Sequence, residues 1–328
     1  AFRCPERRQL MTLANIARSL LRFVVMLGVA SILIFMLLRA VPGDPARIAL
    51  GVTASEEDVA KLAAQLGTDR PLVVQYLDWM RGLLTGDFGV SLASKQDITP
   101  MVWDRVQVSL ILTVCAMILS LLIAIPVGTY LARRHRKVDA AVVSALTQVG
   151  IAVPSFLVGI LAVAVFSVWL GWLPANGWVP PNADFGGFIS HLILPVVALT
   201  LVQAAILTRY VRSALLEEMG KDYVRTARAV GLSTRKVLYR HALRNAALPV
   251  LTVTGLQLTS LIVGAVVIER VFAIPGIGSM LLDAVATRDL TTVQTLMMLL
   301  VVFTLAVTLL VDVLYRICLL YTSLMARG

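Results

Sequence analysis

The chain has 328 residues, 59% of them hydrophobic and only 15% charged, with a mean hydropathy of +0.87 and a net charge of +10. That composition excludes an ordinary soluble globular domain and matches a polytopic membrane protein, so domain counting by length does not apply. The basic residues cluster in short loops beside apolar runs, a topology bias of membrane proteins, which sets aside nucleic acid as the partner of the positive charge.

At the N-terminus, residues 1–10 (AFRCPERRQL) precede Met11, a candidate native start, and are read as non-native or upstream sequence in a cytoplasmic tail over residues 1–15. A secretory signal peptide is the competing reading. The apolar run after Arg22 is longer than a usual signal core and no A-x-A site follows it, which favours an uncleaved first span over residues 16–38. A span needs roughly 20 mostly apolar residues because its backbone must satisfy its own hydrogen bonds in lipid. Five further stretches qualify: residues 106–131, 140–170, 191–207, 248–268 and 291–314. The third span is long enough to be tilted or to extend past the bilayer.

Residues 39–105 are too long for a turn and too polar for lipid. Ser55 followed by Glu56, Glu57 and Asp58 has the composition of a capped helix start, and a second helical run over residues 72–84 is closed by Gly86 and Gly89. Tyr76, Trp79, Phe88 and several leucines make this a small folded external insertion rather than a solvated loop. The remainder, residues 106–318, reads as a five-helix core, followed by a tail over residues 319–328. The fold expected is therefore an all-α polytopic membrane protein with about six transmembrane helices and a helical external insertion after the first.

Lysine and arginine set the orientation. They crowd the N-terminal flank (Arg3, Arg7, Arg8, Arg18, Arg22), the loop with Arg133, Arg134, Arg136 and Lys137, and the stretch from Arg209 to Arg244, whereas residues 171–190 contain none. The alternation puts both termini, the RRHRK loop and residues 213–249 in the cytoplasm.

The middle of each expected span is free of Asp, Glu, Lys, Arg and His, which removes the usual means of coupling to protons or sodium. Gln148, Gln203 and Gln257 are neutral and suit hydrogen bonds between helices better than substrate contact. No G-x-x-x-x-G-K-[ST], H-E-x-x-H or G-x-S-x-G occurs, and Cys4, Cys115 and Cys318 show no metal or disulfide spacing. The chain thus reads as non-enzymatic, with no catalytic residue, bound cofactor or metal, and energy for uphill movement must come from a partner. An ion-coupled carrier or channel and an intramembrane transferase are the competing classes; intramembrane acids would favour the first and paired cytoplasmic Asp motifs the second.

Residues 213–249 are the exception to the apolar pattern. A helix over residues 215–230 is expected to end at Gly231, and Ser233 to cap a second helix that ends near Pro249, giving a helix–turn–helix elbow between two spans. A basic loop lying on anionic lipid would do for topology alone. The small residues Ala227, Ala229 and Gly231 instead let another protein approach the backbone, which favours docking. A DNA-binding elbow is disfavoured because both ends are tethered to the membrane.

The run DYVRTARAVGL over residues 222–232, followed by HALRNAALP over residues 241–249, resembles the EAA loop of permease subunits of ATP-binding-cassette importers, in the B-type dipeptide, oligopeptide and nickel branch. The strict triplet is absent, with Arg225 and Thr226 before Ala227. VPGDPA (41–46), DRPL with Gln75, Tyr76 and Trp79, GDFGVSL (86–92), PSF (154–156) and ERVFAIPGIG (269–278) resemble further segments of the family in the same order, over residues 11–316. The ending ICLLYTSLMARG is unlike the family's polar one. The resemblance implies a type I ABC importer permease fold in a bacterial cytoplasmic membrane. It also implies a second homologous permease as heterodimer partner, two cytoplasmic ATPase subunits that bind ATP and Mg, and an extracytoplasmic solute-binding protein. By the same resemblance Asp222, Arg225, Ala227, Arg228, Gly231 and Leu232 would couple the ATPase to the spans. Pro42, Gly43, Asp44 and Pro45 read more simply as a helix stop, and Pro275, Gly276 and Gly278 as a tight or re-entrant turn.

Overall fold

A computed structural model of the chain describes residues 5–40, 45–50, 54–135 and 137–325. Residues 41–44 of the expected VPGDPA stop, Arg136 of the RRHRK loop and the side chains of residues 1–16 and 317–328, which include Cys4 and Cys318, lie outside the described residues. Among the described residues the structure is helical, with one isolated antiparallel bridge between Val90 and Asp97. The chain divides into two compact units, residues 1–107 with 276–309, and residues 108–275 with 310–328.

The first unit opens with α1 (Pro5–Arg39), which contains the span Ala17–Arg39, followed by α2 (Pro45–Leu50), α3 (Glu56–Leu66) and α4 (Leu72–Thr85). Ser55 caps α3 by accepting from the Asp58 amide at 3.2 Å, as its three following acids lead one to expect. α4 lies on α1 through an aromatic group in which Phe35 stacks on Trp79 at 6.3 Å and meets Tyr76 edge-on at 5.5 Å. The Tyr76 hydroxyl shares a 2.8 Å hydrogen bond with Ser31. Gly86 and Gly89 take left-handed angles after α4 and begin a loop to Thr99, the start of α5 (Thr99–Arg133). Phe88, Ile98, Val102, Met280 and Leu296 form this unit's apolar core.

The second unit holds the remainder of α5, then α6 (Val138–Ala152), α7 (Ser155–Ala162, continued as a wide π turn to Trp169), α8 (Phe185–Met219), α9 (Asp222–Ala229), α10 (Thr234–Val237) and α11 (Leu243–Val271). The third expected span is not one rod. α6 and α7 meet at a 97° bend, because Pro154 disfavours helical angles at the residue before it and Val153 turns to an extended φ of −86° and ψ of 123°. Among the described residues five helices are long and apolar enough to cross a membrane, or six with the bent pair counted as one span. The second and fourth expected spans prove longer than their apolar centres, at Thr99–Arg133 and Phe185–Met219.

Leu112, Leu199, Leu207, Ile268 and Phe272 are fully buried at the centre of the second unit. α5 and α8 touch closely at Gly128, where a Cβ would lie 2.7 Å from Val211, so only glycine fits. Gln203 on α8 donates to the Gln257 side chain on α11 at 3.0 Å, the interhelical role expected of both. Between the fifth and sixth spans the structure has more than the single turn expected at Pro275. A reversal with Ala273 at φ 50° leads into a separate helix, α12 (Ile277–Ala286), and a second reversal at Arg288, φ 55°, precedes α13 (Leu290–Met325).

Candidate functional site

Residues 213–249 contain the elbow, but its parts differ from the expected ones. The helix expected over 215–230 is divided: α8 continues from the membrane to Met219, and Gly220 and Lys221 separate it from α9. The second helix does not end near Pro249. From Thr234 it passes through a π turn, Leu238–Ala242, into α11, and Pro249 lies inside that helix, so the span runs unbroken over Thr234–Val271. In apolar surroundings neighbouring groups and a locally widened turn can absorb the carbonyl a proline frees, which a loop signal does not anticipate.

The turn itself follows the sequence closely. Asp222 occupies the first turn of α9 and Arg228 the last, matching the helix dipole. Gly231 is left-handed at φ 93°, its amide donates to the Arg228 carbonyl at 2.9 Å, and the Leu232 amide reaches back to the Ala227 carbonyl at 3.1 Å. This pair of bonds is a Schellman closure. Ser233 then accepts from the Lys236 amide at 3.4 Å to start α10.

Two contacts hold the elbow to the bundle. Val224 is buried, and Val211 and Leu215 of α8 pack with Leu238, Ala242 and Ala246. The buried carboxylate of Glu218 accepts from Lys221 Nζ at 2.5 Å and from Tyr223 Oη at 2.8 Å. That hydrogen bond holds the Lys221 ammonium above the usual lysine range, and burial first, then Glu218, pushes the Tyr223 phenol up, while Asn245 pulls it down. Sequence reasoning missed Glu218; the signal was an acid beside Glu217 in a stretch otherwise basic, three residues before Lys221.

The six residues singled out from the sequence come together in α9 and its closing turn. Asp222 and Arg225 are highly exposed and joined by a 3.3 Å ion pair. Arg228 and Gly231 are also exposed, while Ala227 and Leu232 are half-buried. Val230 is 80% exposed, an apolar side chain held in the open at the tip. Nothing lies within 4 Å of where a Gly231 Cβ would be. No cluster of metal-ligating residues occurs among the described residues. The arrangement is a basic knob of small residues, tied to the end of α8 through Glu218 and carrying an exposed valine at its tip.

Residues 124–318 match the family model described as "Binding-protein-dependent transport system inner membrane component", and residues 12–113 match its N-terminal companion. The chain is 37% identical over 306 residues to the oligopeptide transport system permease protein AppB of Bacillus subtilis, covering 92% of this chain and 96% of the relative. It is 36% identical over 300 residues to the glutathione transport system permease protein GsiC of Salmonella typhi, covering 92% and 95%. Among solved structures, the inward-facing MetNI methionine ABC transporter is similar in fold, with a TM-score of 0.56 at 20% identity, covering 67% of this chain and 97% of that one.

Proposed function

The chain belongs to the inner membrane component family of binding-protein-dependent transport systems, and from that premise we propose that it forms half of the pathway of an ATP-driven importer for peptides or related small solutes. It works by alternating access, with both termini and the elbow in the cytoplasm. Its partners are a second, homologous permease, two ATPase subunits that bind ATP and Mg beneath the membrane, and a solute-binding protein on the opposite side. The chain carries no catalytic residue of its own. Dipeptides, longer peptides, nickel chelates and glutathione-like molecules all fall within the substrate class.

One observation carries this reading: α9 and its turn form a capped, exposed polar element between two spans, where Asp222, Arg225, Ala227, Arg228, Gly231 and Leu232 gather. A groove on an ATPase that receives this knob can push on α8 through Glu218 and on α11 through the continuous helix from Thr234. The neutral centres of the spans support a mechanical source of energy over an ionic one.

Replacing Gly231 with Leu tests the reading. The left-handed backbone there strains any side chain by roughly 1–2 kcal/mol, yet the site is open, so insertion and assembly should survive while substrate-stimulated ATP hydrolysis of the purified complex falls. Normal stimulation in the variant would remove the elbow from the coupling path.

A further inference from the structure

α4 presents three sides, set apart by the roughly 100° turn per residue of a helix. Tyr76, Trp79 and Leu83 share one side: the two rings meet Phe35 of α1, and Leu83 packs on the core around Phe88 and Val102. Asp78, Arg81 and Thr85 share a second side and are exposed, with Asp78 in an ion pair with Arg70. Val73, Leu77, Met80 and Leu84 form the third, a single apolar stripe because their spacing alternates between four and three residues. This stripe is open: Val73 is 69% exposed, Leu77 58% and Leu84 82%. An ordered apolar row of that kind on a short helix marks a contact with something other than water.

The depth of α4 decides what that contact is. The Tyr76 hydroxyl bonds to Ser31, eight residues before the end of the span Ala17–Arg39, a level about 12 Å inside it at the helical rise. Phe35, on which Trp79 stacks, lies four residues before that end, about 6 Å inside. Exposed apolar side chains continue along α1 past both levels, at Leu33, Met36 and Leu37, so hydrocarbon has to surround the span at least that far. A second span agrees: Trp79 and Gly82 line one cavity with Leu290, Thr291 and Gln294, the opening turns of Leu290–Arg316. Taken together residues 39–105 are too polar for lipid, but that average hides a 14-residue helix with its own sorted faces.

We infer that α4 is an interfacial helix seated in the lipid leaflet that meets the Arg39 end of the first span. Its Val73, Leu77, Met80 and Leu84 stripe lies on the acyl chains, and its Asp78, Arg81 and Thr85 side lies among the headgroups, the partition of an amphipathic helix at a membrane surface. Lipid is favoured over a protein partner because the stripe belongs to a helix held beside a lipid-covered stretch of α1. The seat needs no partner subunit, solute or ATP, so it stands apart from the transport reading.

The test is spin-label accessibility in the full chain, in phosphatidylcholine nanodiscs, with Cys4, Cys115 and Cys318 replaced by alanine and one new cysteine labelled at a time. Oxygen concentrates in hydrocarbon and a nickel chelate stays in water. The oxygen-to-nickel collision ratio at Leu77→Cys and Leu84→Cys should match that at Leu33→Cys on the exposed side of α1, and should fall at Thr85→Cys. Nickel access at Leu77 and Leu84 would put the stripe in water. Loss of both collisions would put protein there, a second copy of this chain included, and either result overturns the assignment. A second measurement needs no substitution: phosphatidylcholine carrying a diazirine near the glycerol end of an acyl chain, irradiated with the unmodified chain, should attach within residues 73–84. Adducts on α1 with none on α4 would also overturn it.

Discussion

The elbow around Asp222 and the loop between Gly86 and Thr99 are built alike and behave differently. Both use left-handed residues to turn, and both are organised by one buried carboxylate. In the elbow Glu218 takes its hydrogen bonds from Lys221 and Tyr223, three and five residues away. In the loop Asp289 accepts from Ser91 Oγ at 2.5 Å and from the Leu92 amide at 3.1 Å, nearly two hundred residues distant, and from the Thr292 hydroxyl at 2.7 Å. Bonds between near neighbours shape an element without fastening it elsewhere; bonds between distant segments fasten it. The Glu218 bonds therefore tie α9 to the end of α8 beside it, whereas the loop is locked to the start of α13.

The largest effect should come from breaking the lock. Asp289→Ala orphans the Leu92 amide and the Ser91 hydroxyl in a site only 4% exposed, and the cost should reach about 3 kcal/mol. It should appear as a lower melting temperature in detergent and faster amide exchange over residues 89–98; unchanged exchange there would mean the carboxylate is not what closes the loop. Next, Glu218→Ala should cost about 1–2 kcal/mol, confined to the elbow. Exchange should quicken over residues 220–232 while the global melt barely moves, and ATPase stimulation in the complex should fall. A large global destabilisation would instead make the elbow part of the core. Last, Asp222→Ala and Arg225→Ala should leave stability unchanged, since so exposed an ion pair contributes almost nothing, yet lower the apparent affinity between complex and ATPase. Unaltered assembly would put the docking face elsewhere on the knob.

What the sequence makes legible follows the same division. Ser55, Gly86, Gly231 and Ser233 announce helix ends because a cap satisfies backbone groups within a few residues of itself. Gln203 and Gln257 announce a hydrogen-bonding role but not each other. Ser91 and Asp289 announce nothing, since neither position differs locally from any solvated polar residue. The prolines are the most instructive failure. Pro154 and Pro249 both follow aliphatic residues in apolar stretches, yet the first breaks its helix and the second does not. A proline forces the loss of one backbone bond; whether the chain then bends depends on what neighbouring helices offer the freed carbonyl, which lies outside any local pattern. The six elbow residues could be picked out by resemblance, whereas their anchor at Glu218 required the fold.

The wide turn at Leu238–Ala242 has a mechanical consequence. Because it joins the elbow to α11 without interrupting the helix, Thr234–Val271 is a single strut of 38 residues, about 57 Å long at the usual rise. Its foot is Ser233, which caps α10, and near its far end Glu269 accepts from the Ser109 hydroxyl at 2.6 Å. Flexing such a strut in lipid would expose backbone groups at several kcal/mol each. The π turn over Leu238–Ala242 is a locally widened segment of that strut, next to the elbow.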